Sequence, residues 1–147
     1  MKRFATALSI RAPAERVWAL LTDAAGYPEW NSTVSRIDGT IAQGARITVH
    51  ARMAAGRAFP VTVAVFEPAQ RMVWRGGMPL GLFVGTRVFA LASRSEGEVA
   101  FSMQEEFTGL LAPLIARSIP DLQPAFDAFA ADLKRAAEGD AGPVASG

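Results

Sequence analysis

Two oppositely charged residues sit in the most strongly alternating apolar segments of this 147-residue chain. Strand-like alternation places Arg87, Phe89 and Leu91 on one face of a segment running from Val84 to Ser93. The same period places Val99, Phe101, Met103, Glu105 and Phe107 on one face of the segment Val99 to Thr108. The polar turn Arg94-Ser-Glu-Gly-Glu98 joins them. If Ser93 faces Val99 across that turn, Leu91 faces Phe101, Phe89 faces Met103 and Arg87 faces Glu105. A carboxylate and a guanidinium among aromatic and thioether groups form a polar anchor that can orient a ligand hydroxyl, carbonyl or carboxylate. The alternative is a structural ion pair at a sheet end, open to water.

The remaining candidates are apolar. Tyr27, Trp30, Trp74, Phe126 and Phe129 either line a pocket or fill a core, and Leu122, Phe126, Phe129, Leu133 and Ala136 recur at spacings of three and four. The small Ala51, Ala64, Ala90 and Ala125 leave volume that favours a cavity. The apolar, glycine-containing run 76–83 is a loop that could cover a cavity, meet a partner or pack on the last helix. The sole histidine, His50, shares a strand face with Thr48 and Arg52, away from Ile47, Val49, Ala51 and Met53. That orientation argues against a serine-histidine-carboxylate triad. With no cysteine and no clustered ligands, no metal site and no cofactor is expected; the adjacent Glu105 and Glu106 point to opposite faces, with Glu106 exposed. Neither a Walker lysine nor a G-x-G-x-x-G run is present.

These residues need elements to position them. The length suits one domain, and a half-hydrophobic, one-fifth-charged composition is globular. A formal charge of +1 provides no field for gathering nucleic acid, and no nucleic-acid partner is expected. The short apolar stretch after Lys2 and Arg3 is broken by Thr6 and Ser9, which predicts no signal peptide; no run is long enough for a membrane span, and a cytoplasmic location is expected. Phe4 to Ile10 reads as a strand. Ala12-Pro13-Ala14-Glu15 starts a helix that buries Val17, Leu20 and Leu21, and Asp23 to Trp30 continues as a turn and a second short helix. Period-two patterning from Val34 to Phe107 with short turns predicts an antiparallel meander. A broken helical segment from Leu110 and a long helix through Leu133 follow, with residues 139–147 as a flexible tail.

Three local patterns resemble one family. Ile10-x-Ala12-Pro13-x-Glu15-x-Val17-Trp18 is similar to the first strand-to-helix signature of the START-like, Bet v 1-like superfamily (SRPBCC), which includes bacterial polyketide cyclase/dehydrase and lipid-transport proteins. Asp23 with Tyr27-Pro28-Glu29-Trp30-Asn31 resembles its second-helix signature. Glu105-x-Phe107-x-Gly109-Leu110-Leu111 resembles its entry into the C-terminal helix. The resemblance covers about residues 4–137. Where many members carry Gly-x-His-x-Phe, this chain reads Gly85-Thr86-Arg87-Val88-Phe89, so any role of that histidine does not transfer.

The resemblance implies an α+β helix-grip fold: a curved antiparallel sheet of about seven strands around a long C-terminal helix, with two short helices between strands 1 and 2. Residues 1–138 would form that single domain. It also implies an apolar ligand cavity, here walled by Arg87, Glu105, Tyr27, Trp30, Trp74, Phe89, Phe101, Met103, Phe107, Leu122, Phe126 and Phe129. The expected partner is a hydrophobic small molecule such as a lipid, isoprenoid or polyketide-like compound, with a homodimer possible. The alternatives are a polyketide aromatase/cyclase-type enzyme, with Arg87, Glu105 or Tyr27 assisting proton transfer, and a co-chaperone-like interaction module. For the last, an exposed apolar patch around Met78 to Phe83 would be the sign.

Overall fold

The computed structural model describes residues 2–52 and 58–139. Strand β1 (Lys2–Ile10) leads into helix α1 (Ala14–Thr22), a single 3-10 turn and the short helix α2 (Tyr27–Trp30). Six strands follow: β2 (Val34–Asp38), β3 (Arg46–Ala51), β4 (Ala58–Glu67), β5 (Arg71–Gly77), β6 (Val84–Ser95) and β7 (Glu98–Thr108). A turn of helix, α3 (Ala112–Ile115), and a 3-10 turn precede the long helix α4 (Gln123–Gly139). Met53 of the expected β3 face, and all of the expected tail beyond Gly139, lie outside the described residues.

All seven strands pair antiparallel in the order β1-β7-β6-β5-β4-β3-β2. The chain therefore runs a plain meander from β2 to β7, and β1 closes on the far side of β7. The β6–β7 register is the one in which Ser93 stands opposite Val99, with Leu91 opposite Phe101, Phe89 opposite Met103 and Arg87 opposite Glu105. One slipped residue would have sent every inward ring into water.

Helix α1 begins after Pro13, whose extended backbone suits the position before a first turn, and it buries Val17, Trp18 and Leu21. Helix α4 lies across the inner face of the sheet and buries Phe126, Phe129, Ala130, Leu133, Ala136 and Ala137. Polar contacts fix its direction along β1. Gln123 Nε2 donates to the Ala5 carbonyl at 2.7 Å near one end, and Lys134 Nζ donates to the Ser9 carbonyl at 2.8 Å near the other. The Glu138 carboxylate accepts the Arg11 backbone N–H at 2.6 Å and Lys134 Nζ at 2.7 Å. Asp132, buried in the middle of the helix, accepts both the backbone N–H and the hydroxyl of Ser32, tying α4 to the turn after α2. No described helix is long and apolar enough to cross a membrane.

Candidate functional site

The inner face of the sheet carries the candidate residues in rows, because directly opposed residues of neighbouring strands share a face. One row runs Met72, Phe89, Met103 and Thr6 across β5, β6, β7 and β1. The next row, two residues nearer the sheet end, runs Trp74, Arg87, Glu105 and Phe4. The first row is closed over β5, β6 and β7, where Met72, Phe89 and Met103 are at most 1% exposed, and Thr6 on β1 is half-buried. The second holds the ion pair, with Arg87 Nε donating to Glu105 Oε1 at 2.7 Å. Those side chains keep 23% and 15% of their surface in contact with solvent. The pair faces the interior and also touches water at the rim.

Rings surround it. The Arg87 guanidinium lies 4.7 Å from the centre of the Phe126 ring, a cation–π contact from α4. Phe4 meets Phe126 at 5.9 Å and Phe107 at 6.5 Å, and Phe83 stacks on Phe107 at 5.5 Å. Leu122, just before α4, is half-buried against the same core. Gly85, two residues before Arg87, leaves this wall bare. A Cβ there would stand 3.1 Å from Glu105 Oε2 and 3.2 Å from the Phe107 ring. Phe4, Phe83 and Gly85 belong to this end of the fold and were not among the sequence candidates; the alternation of Phe4 in β1 was the available signal for the first.

Deeper in, the other candidates pack on one another. Trp74 meets Phe89 at 4.6 Å, Tyr27 meets Trp30 at 4.9 Å, and Phe129 contacts Trp30, Phe89, Tyr27 and Phe101 at 5.6 to 6.4 Å. These separations are those of rings in direct contact. The structure thus brings all twelve candidates onto the surfaces between sheet and α4, but divides them: Tyr27, Trp30, Trp74, Phe89, Phe101, Met103 and Phe129 form an aromatic interior. Arg87, Glu105, Phe107, Leu122 and Phe126 stand at its open end.

Tyr27 is fully buried, and its hydroxyl donates to the Leu21 carbonyl at 2.7 Å. Burial pushes its phenol well above the ordinary tyrosine range, only partly offset by the nearby Arg87 charge. It therefore stays neutral with its proton directed at the backbone. Three other interior donors have no such outlet. The indole Nε1 atoms of Trp74 and Trp30 are buried without a hydrogen-bond partner among the described residues, as is Asn31 Nδ2.

The outer face differs from expectation in two respects. Ala90 lies opposite Ser102, in the row that faces away from α4, so its small side chain creates no interior volume. Together with Ala7, Ser9, Ala92, Ala100, Ser102 and Arg94 it shapes a shallow external hollow of about 280 Å³, which Leu8 and Phe101 also border. His50 is also on the outer side, with Nε2 2.9 Å from Asp38 Oδ2. That contact, then Arg36, holds the Asp38 carboxyl below its usual value. Glu106, expected to be exposed, is half-buried there opposite Thr86 and Arg3.

The chain resembles the structure of hypothetical protein jhp0584 from Helicobacter pylori, at 18% identity and a TM-score of 0.75 over 93% of this chain and 88% of that one. A START superfamily protein from Mycobacterium smegmatis matches at 14% identity and a TM-score of 0.64, over 93% and 97%. DynU16, from the dynemicin biosynthetic locus, matches at 20% identity and a TM-score of 0.67 over 92% of this chain but only 46% of its own length. At these identities the likeness establishes the helix-grip fold and nothing finer. A search of curated proteins finds no match. The family model for polyketide cyclase / dehydrase and lipid transport matches residues 1–138. With that match over nearly all of its length, and with the sheet, helices and register described above, the chain belongs to the polyketide cyclase/dehydrase and lipid-transport family of START-like proteins.

Proposed function

We propose that this protein binds a hydrophobic small molecule between the sheet and α4, at the end marked by Arg87 and Glu105. The observation that carries the reading is the ion pair itself. A charged pair facing inward among Phe4, Phe107 and Phe126 loses hydration for no gain that apolar packing could not equal. A ligand's polar end gives the pair a use, and the surrounding rings would cover an apolar body. Lipids, isoprenoids and polyketide-like molecules all fit that description.

Catalysis is the less supported alternative. Tyr27 is a poor acid or base with its proton held by a backbone carbonyl, which leaves Arg87 and Glu105, already paired to each other. A protein-interaction role has its own observation: Leu80, Leu110 and Leu114 are largely exposed, and Met78 partly so. The two loops that carry them are held together by the Leu111 N–H donating to the Leu82 carbonyl at 2.8 Å. Gly109, with φ +112°, allows this approach, since a Cβ there would lie 2.6 Å from two loop carbonyls.

Native mass spectrometry of the purified chain tests the binding reading. A co-purifying small molecule, or uptake of an added lipid or polyketone that weakens in Arg87→Met and Glu105→Gln, supports it. Unchanged affinity in both variants removes the anchor, turnover of the added polyketone favours the enzyme, and recovery of a defined protein partner with no small molecule favours the interaction role.

A further inference from the structure

Trp74 stands directly opposite Arg87 across β5 and β6, and Arg87 directly opposite Glu105 across β6 and β7. Trp74 is 3% exposed, and its indole N–H meets no acceptor among the described residues. Native interiors seldom leave a buried donor in that condition, because it forfeits its hydration and receives nothing in exchange. Arg87 is also incompletely used. Its Nε serves Glu105 at 2.7 Å, and 23% of its side-chain surface stays in contact with solvent. The row therefore presents one unpartnered buried donor beside an ion pair of zero net charge.

That balance selects among ligand heads. A carboxylate would approach Arg87 only by also approaching Glu105, and an ammonium would meet Arg87 and the indole donor with its own donors. A neutral carbonyl oxygen opposes neither charge and supplies the acceptor that the indole lacks. We propose that Trp74 is a recognition residue, its N–H donating to a neutral carbonyl oxygen of the bound molecule, with the Arg87–Glu105 pair disfavouring charged heads. The ligand class is then a hydrophobic ketone, ester or amide. This rests on the binding reading above and narrows it.

The test uses the full chain and two series of probes, one naphthyl and one nonyl, each comprising a methyl ketone, the matching hydrocarbon, a carboxylate and an amine. Titration calorimetry should find the ketone tightest in at least one series, by roughly tenfold over the hydrocarbon. In Trp74→Phe the ketone-to-hydrocarbon ratio should fall toward one. The three tryptophans give three indole N–H signals in a proton–nitrogen correlation spectrum. The Trp74 signal in the wild-type chain should move on adding ketone and move little with hydrocarbon, so the result does not depend on the variant folding. Ketone and hydrocarbon binding equally, or carboxylate binding best, would overturn the assignment of Trp74 while leaving small-molecule binding intact. If no probe in either series binds, the binding reading itself fails and this inference with it.

Discussion

The rows Met72–Phe89–Met103 and Trp74–Arg87–Glu105 occupy the same sheet face only two residues apart, about 7 Å along the strands. The first is apolar and sealed, whereas the second alternates an indole, a cation and an anion and is partly open to water. The sealed row packs on Phe129, in the middle of α4. The open row meets Phe126, in the helix's first turn. Where α4 runs fully alongside the sheet, every inward position needs a hydrocarbon side chain. Where the helix begins, water reaches the wall and charge becomes tolerable. The fold thus makes a core and a candidate site from one repeated strand pattern, according to how far each position lies under the helix.

The contrast sets an order of expected effects. Phe89→Ala, in the sealed row, should cost about 3–5 kcal/mol through lost burial and the cavity left behind, measured by urea unfolding. Glu105→Gln or Arg87→Met, in the open row, should cost about 1–3 kcal/mol, less than for a fully buried pair because both groups retain some water. The double variant should cost less than the sum of the two, and strict additivity in a double-mutant cycle would show that the 2.7 Å contact contributes nothing.

A third effect concerns the clamp that holds α4 across both rows. The Arg11 backbone N–H, and then Lys134, hold the Glu138 carboxyl below its ordinary value of 4.5. A lowered folded-state value means that the stabilisation is complete above the ordinary value and is lost as pH falls through the lowered one. Glu138→Gln should therefore cost about 1 kcal/mol near neutral pH, with the gap from wild type closing on acidification. A gap that widened on acidification would assign the wrong sign to this clamp. The smallest effect lies outside both rows. Leu80 is 95% exposed with φ +61°, a left-handed conformation that suits asparagine better. Leu80→Asn should change stability by no more than about 0.5 kcal/mol, in the stabilising direction, in the same unfolding assay.

Much of this arrangement was legible in the residues. Alternation put Arg87, Phe89 and Leu91 on one strand face and Phe101, Met103 and Glu105 on one face of the next. Pairing Arg87 with Glu105 rested on Ser93 facing Val99, since a two-residue slip keeps every face and sets Arg87 opposite Met103. The stripe on α4 was equally clear, because Phe126, Phe129 and Leu133 repeat at helical spacing. What could not be read was the distance between facing layers. Whether Tyr27, Trp74 and Phe129 meet or stand apart depends on sheet curvature, which strand periodicity does not encode. Ala90 shows the same limit: a small residue signals missing volume, and only the register shows on which side of the sheet. The Asp132–Ser32 contact joins residues a hundred positions apart, and its only trace in the sequence is an acid next to the apolar stripe.

The central claim is that the open row, rather than the outer hollow, is where a hydrophobic molecule binds. Backbone and side-chain chemical-shift mapping during titration with a ligand that binds tests it most directly. The account predicts the largest changes at Trp74, Arg87, Glu105, Phe107, Leu122 and Phe126. Changes centred instead on Ala7, Ala90, Ala92 and Ala100, across the sheet, would contradict it.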